Sequence, residues 1–89
     1  MIYKIGFKKS VAHDLKKIDR NAADNILRKI EEELPEKAES FPALTGKFSG
    51  LKKFRIGDYR VIYKITGQEV LILGICNRRD VYIKMLGRK

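Results

Sequence analysis

The apolar positions of this chain change period twice. Residues 2–7, IYKIGF, are strand-forming types and open the fold as a short strand. From Ser10 the spacing turns helical: Val11, Leu15, Ile18 and Ala22 make one apolar stripe, with Lys and Asp on the other side. Residues 19–21 supply cap-type side chains for a second helix, which carries Ala22, Ala23, Ile26, Leu27, Ile30 and Leu34 above a solvated acidic run at 31–33. Pro35 is expected to end or kink that helix, EKAES to add a further turn, and Pro42 to stop it. Residues 41–50 read as a loop with Gly46 and Gly50 as hinges.

After Gly50 the period becomes that of strands. LKKFRI (51–56), a turn at Gly57 and Asp58, and YRVIYKI (59–65) make a hairpin; a second turn leads to VLILGIC (70–76). The unbroken apolar run of this last strand predicts burial on both faces, hence a central place in the sheet. A basic loop, NRRD (77–80), and a short tail, VYIKMLGRK, follow. The predicted order is β-α-α-β-β-β: one α+β domain over residues 1–89, with two N-terminal helices packed on one face of a mostly antiparallel sheet.

A two-residue turn fixes the hairpin register. Ile56 lies opposite Tyr59, Arg55 opposite Arg60, Phe54 opposite Val61 and Lys53 opposite Ile62. Opposed residues share a face and faces alternate along a strand, so Lys53, Arg55, Arg60 and Lys64 project from one side. Phe54, Ile56, Val61, Tyr63 and Ile65 project from the other, where helices can cover them.

Charge sharpens this picture. The chain carries a net +9, but residues 1–45 hold nine Lys/Arg against eight acids, whereas residues 46–89 hold eleven against three. A solubility device would spread its charge; a concentrated excess points to an acidic partner. A membrane surface fits poorly, because the basic half reads as strands and no apolar run reaches the length of a bilayer span. The N-terminus lacks the long apolar stretch of a signal peptide, so the expected compartment is the cytoplasm. The single cysteine, Cys76, rules out an internal disulfide framework, and no Cys/His cluster has metal spacing.

Two arginines directly opposed across a hairpin repel unless an anion neutralises them. No acid lies among these cations, and Arg78 and Arg79 join them if the third strand pairs with the second. Such a surface suits a phosphate backbone, most naturally RNA, and four or five contacts to a single strand give a log–log salt slope of about −3. Cleavage by the RNA 2′-hydroxyl requires a base, cations for the phosphorane and an acid for the leaving 5′-oxygen, with no metal or cofactor. Arg55, Arg60 and Arg78 can supply the cations. Arginine is too basic to act as the base; Lys53 is the candidate, since a lysine among like charges gives up its proton more readily. Tyr82 can serve as acid or as a stacking platform. Lys52, Lys64, Arg79 and Lys84 are further candidate backbone contacts. His13 lies outside the patch and reads as a surface residue, Cys76 as core, and Tyr59 and Tyr63 as packing.

The stretch LKKFRIGDYRVIYKI, the later NRRDVY and the opening YKIGFKKSVAHDLKKID resemble the RelE branch of the RelE/ParE toxin superfamily through most of the chain. The resemblance implies a ribosome-dependent mRNA endoribonuclease acting in the ribosomal A site. It also implies a cognate antitoxin, in a complex of heterotetramer size or larger, with the ribosome and mRNA as the remaining partners. It assigns Lys53, Arg55, Arg60, Arg78 and Tyr82 to activating the 2′-hydroxyl, stabilising the phosphorane and orienting or protonating the substrate, without dividing base from acid. Three features depart from relatives. Asn77 stands where many carry histidine, Arg55 where some carry lysine, and the short C-terminus predicts a turn in place of a final helix. ParE toxins share the scaffold and poison DNA gyrase instead; the retained basic set and Tyr82 favour the nuclease. An inert RNA-binding domain is the third reading.

Overall fold

The computed structural model describes residues 2–44, 46–48 and 50–81. Its elements run β1 (Lys4–Phe7), α1 (Lys9–Lys16), α2 (Arg20–Lys37), β2 (Lys52–Ile56), β3 (Tyr59–Thr66) and β4 (Glu69–Asn77). Short 3-10 turns occupy Ala38–Ser40, Gly46–Phe48 and Arg78–Asp80. The strands form one sheet in the order β1-β4-β3-β2, with β1 parallel to β4 and the other pairings antiparallel. This is the α+β arrangement that the alternation predicted. β4 is a central strand, as its apolar run requires: Ile75 enters one core cluster and Cys76 another.

The helices start and stop for local reasons. The Asp19 carboxylate accepts from the amides of Asn21 (3.1 Å) and Ala22 (3.4 Å), capping α2. Ala22 thus belongs to α2, while Ile18, in the turn between the helices, still packs on the core. Pro35 does not end α2, which runs on to Lys37. A proline in the last turn forfeits a single ladder bond, and buried Leu34 and Ala38 hold both sides of it in the core. The Pro35 carbonyl, near the end of the helix, accepts the Tyr3 amide at 2.8 Å, which ties the chain ahead of β1 to the end of α2.

Packing divides the sheet into two unlike faces. On one, Phe54, Ile56, Val61, Tyr63, Val70, Ile72 and Ile75 meet Val11, Ile26, Ile30 and Leu34 of the helices. On the other, Ile62 and Cys76 form a small cluster with Leu44 and Val81, and Phe48 and Leu51 pack against it. Part of the segment read as loop therefore covers this second face, held by Leu44 N–H to Leu51 O (2.9 Å) and Lys53 N–H to Pro42 O (3.0 Å). A bulge separates the two registers of β3 on β4: Ile62 pairs with Gly74, but Tyr63 pairs with Ile72. The extra residue, Leu73, lets Ile72 and Ile75 share the helix face although they are three apart.

β1 ends at Phe7, opposite Ile72, so the second half of β4 has no strand on that side. The buried Asp14 of α1 fills the gap: its carboxylate accepts the Ile75 amide at 3.1 Å. A buried carboxylate is tolerated only when bonded in this way. Two phenols are perturbed by their surroundings. Tyr3 donates to the Glu39 carboxylate, and that bond raises its pKa above the usual value. Burial raises that of Tyr63, whose hydroxyl donates to the Ala38 carbonyl at 2.6 Å.

Candidate nucleic-acid interface

The hairpin register is the expected one, residue for residue: Ile56 opposite Tyr59, Arg55 opposite Arg60, Phe54 opposite Val61 and Lys53 opposite Ile62. Gly57 leads the turn with φ +57° and Asp58 has no positive φ, which fits the hairpin turn that places glycine first. β4 extends the rows. Arg55, Arg60 and Cys76 lie in one row across the sheet, and Lys53, Ile62 and Gly74 in the next. Cys76 and Ile62 belong to the small cluster, so these cations flank it on the face away from the helices. Lys64, exposed and two residues beyond Ile62, shares that face.

The guanidinium of Arg60 bends back to the turn, with Nη1 donating to the carbonyls of Tyr59 (3.1 Å) and Gly57 (3.3 Å). These bonds hold its head group while leaving other N–H donors for an anion. The loop of Arg78 reaches the same end of the sheet. Its amide donates to the Asp58 carbonyl at 2.9 Å, and Asn77 lies opposite Tyr59. Asp58, Asn77, Arg78, Arg79 and Asp80 line a polar recess of about 410 Å³. A neighbouring cavity of about 460 Å³ shares Asn77 and Asp80 and runs toward Asp14, Lys17, Ile18 and Tyr59.

Ion pairing separates this end from the helices. Arg28–Glu32 (3.5 Å), Lys29–Glu33 (3.8 Å) and Lys37–Glu33 (3.9 Å) pair along α2. Among the described residues no ion pair reaches Lys53, Arg55, Arg60, Lys64, Arg78 or Arg79. Arg79 makes no ion pair with Asp80 there; its amide is held by the Asn77 side chain at 3.1 Å.

The structure brings Lys53, Arg55, Arg60 and Lys64 to one face and the Arg78–Asp80 turn to its end. Lys52 it does not bring there. Lys52 lies opposite Tyr63, on the helix side, where its ammonium donates to the carbonyls of Phe41 (2.9 Å) and Glu39 (3.4 Å). Parity explains the separation, since Lys52 and Lys53 are neighbours and must point apart. Tyr82 and Lys84, with the tail turn expected there, lie outside the described residues. His13 is exposed on α1, and Cys76 is buried, its thiol directed at the Arg60 carbonyl at 4.0 Å. Asn77 is the residue the sequence undervalued. An Asn directly before a short turn is the available signal, because its carboxamide can close an Asx turn.

This small α+β scaffold is shared by toxins of known structure. The RelBE2 toxin-antitoxin complex from Mycobacterium tuberculosis matches with a TM-score of 0.81 and 22% identity, over 88% of this chain and 100% of that one. A mutant of the E. coli toxin RelE in the free state matches with 0.75 and 17%, over 99% and 98%. The chromosomal ParDE system from P. aeruginosa matches with 0.72 and 16%, over 85% and 96%. No curated protein sequence matches the chain. The family model of the ParE toxin of type II toxin-antitoxin systems matches residues 5–82, and the chain belongs to that family, within the RelE/ParE superfamily.

Proposed function

We propose that this toxin acts as an mRNA endoribonuclease in the ribosomal A site, with the cationic face as its active surface. The observation that carries the reading is the Arg55–Arg60 row. Two like charges stand opposed in the free protein, with no acid paired to either, and the Arg78 loop is bonded to the turn between them. A phosphodiester supplies the missing negative charge. In the reaction the 2′-oxygen attacks phosphorus as its proton passes to a base, Lys53 in this reading. Arg55, Arg60 and Arg78 stabilise the phosphorane, and the 5′-oxygen leaves as it is protonated, with Tyr82 the candidate donor. The products are a cyclic phosphate and a 5′-hydroxyl, and the steps balance without a metal or cofactor.

An antitoxin is the regulatory partner in this reading. Charge complementarity calls for an acidic, amphipathic segment. Ile2, just ahead of edge strand β1, and Phe7, its last residue, are the exposed large hydrophobics among the described residues. Phe7 and Lys9 border an apolar groove of about 330 Å³ that includes Val11, Leu15 and Leu27. Structural relatives include toxin-antitoxin complexes from Mycobacterium tuberculosis and Methanococcus jannaschii, which supports this partner.

The matching family model is that of ParE toxins, and this favours a second reading, a gyrase poison without chemistry of its own. Induced expression in bacteria separates the two. The nuclease arrests growth and leaves transcripts cut within codons, with 5′-hydroxyl ends, only where they are translated. Intact transcripts with DNA damage and trapped gyrase would overturn the nuclease reading in favour of the second.

A further inference from the structure

We propose that Asn77 is a positioning residue: its side chain latches the Arg78–Asp80 turn so that Arg78 and Arg79 meet the same anion as the Arg55–Arg60 row. This role rests on the RNA-binding reading of that face.

Three consecutive residues make the latch. Asn77 closes β4 in extended geometry (φ −68°, ψ 149°), and its Oδ1 accepts the Arg79 amide at 3.1 Å. Between them, the Arg78 amide donates to the Asp58 carbonyl at 2.9 Å. Successive amides of the arginine loop are therefore held from two directions. One is fixed to the hairpin turn that precedes Arg60; the other is fixed to the last residue of β4, which itself pairs with Tyr59 of that hairpin. The Arg60 guanidinium completes the frame by donating to the turn carbonyls of Gly57 and Tyr59. Arg78 and Arg60 thus sit on one backbone unit, although eighteen positions separate them.

The need for a latch follows from the turn itself. A 3-10 segment of three exposed residues, none of them buried, has little packing to define it. Long arginine side chains also lose freedom on binding, so a loose backbone would add to that loss. Asparagine suits the position chemically. It supplies a capping oxygen without charge, whereas a carboxylate there would cap equally well but stand beside two arginines and compete with the incoming anion. Asn77 needs no contact with RNA to do this.

Asn77→Ala, Asn77→Ser and Asn77→Asp in the full chain test the proposal, with a uridine homopolymer oligoribonucleotide as probe. Binding is followed by fluorescence anisotropy and the Arg79 amide by hydrogen exchange. Asn77→Ala is expected to weaken binding about fivefold to tenfold, the size of one lost cap, and to loosen the Arg79 amide. Serine, which keeps a short oxygen acceptor, restores most of the affinity. Aspartate restores amide protection but not affinity. Arg78→Ala and Asn77→Ala together cost little more than Arg78→Ala alone, while Lys64→Ala and Asn77→Ala multiply. Unchanged binding in Asn77→Ala, or multiplication with Arg78→Ala, overturns the latch and leaves the RNA reading standing. A wild-type protein that ignores the probe sinks the RNA reading, and this positioning role with it.

Discussion

On its helix side the sheet gives Phe54, Ile56, Val61, Tyr63, Ile72 and Ile75 to a core continuous with both helices. On the other side the same strands carry Lys53, Arg55, Arg60 and Lys64, around a cluster that among the described residues holds the buried Leu44, Ile62, Cys76 and Val81. The two faces follow opposite rules. Among the described residues the first leaves no buried polar side-chain atom without a hydrogen bond: Tyr63 bonds the Ala38 carbonyl, and Asp14 the Ile75 amide. The second leaves like charges opposed, a loss of roughly 0.2–1 kcal/mol per pair in the free protein. One face holds the fold together, and the other carries an electrostatic cost in the free protein. Alternation along a strand lets the two be set independently, one residue apart.

Substitutions can break or sharpen that contrast, and the largest effect belongs to the helix face. Ile72→Ala, at a fully buried position, should lower stability by about 2–5 kcal/mol, enough to unfold much of a small domain. Thermal denaturation gives the loss, and activity per folded molecule should stay at the wild-type level. On the open face the sign reverses. Arg55→Glu places an acid opposite Arg60, so melting should shift upward by the equivalent of a few tenths of a kcal/mol, while RNA affinity falls about tenfold or more. A variant that gained stability and kept its affinity would remove Arg55 from the interface.

A smaller effect tests the answered polar groups. Tyr63→Phe deprives the Ala38 carbonyl of its donor and should cost about 1–2 kcal/mol at neutral pH. The Tyr63 phenol also has a raised pKa in the folded state, so the fold binds its proton more tightly than the unfolded chain does. That contribution is whole below pH 10 and is lost as the pH climbs toward the folded value. Wild-type stability should therefore fall more steeply above pH 10 than that of Tyr63→Phe; parallel curves would contradict the assignment.

How far this was legible from sequence depends on the element. The hairpin register followed from one glycine-led turn, and with it the side of every residue from Lys53 to Lys64. Lys52 belonged to the same arithmetic, yet grouped by charge it joined the wrong side; its partners are main-chain carbonyls that no pattern reveals. The bulge at Leu73 was hidden because VLILGIC is apolar throughout, so no break in period marks the extra residue. Leu44 and Phe48 lie in a glycine-flanked stretch without periodicity, and their packing over the second face depends on long-range contact. Pro35 misled for a different reason: buried Leu34 and Ala38 hold the helix on both sides of it, so the lost ladder bond does not end it there. Asn77 read as a departure from relatives, while its bond to Arg79 is visible only in three dimensions.

The most direct measurement maps the 5′ ends of a transcript being translated in a cell-free extract, with the wild-type protein and with Lys53→Ala and Arg60→Ala. Cuts within codons are expected for the wild type, and at least a hundredfold fewer for either variant at unchanged melting temperature. Wild-type cutting by both variants would contradict the assignment of the cationic face as the active surface, and cutting that persists when translation is blocked would contradict action in the ribosomal A site.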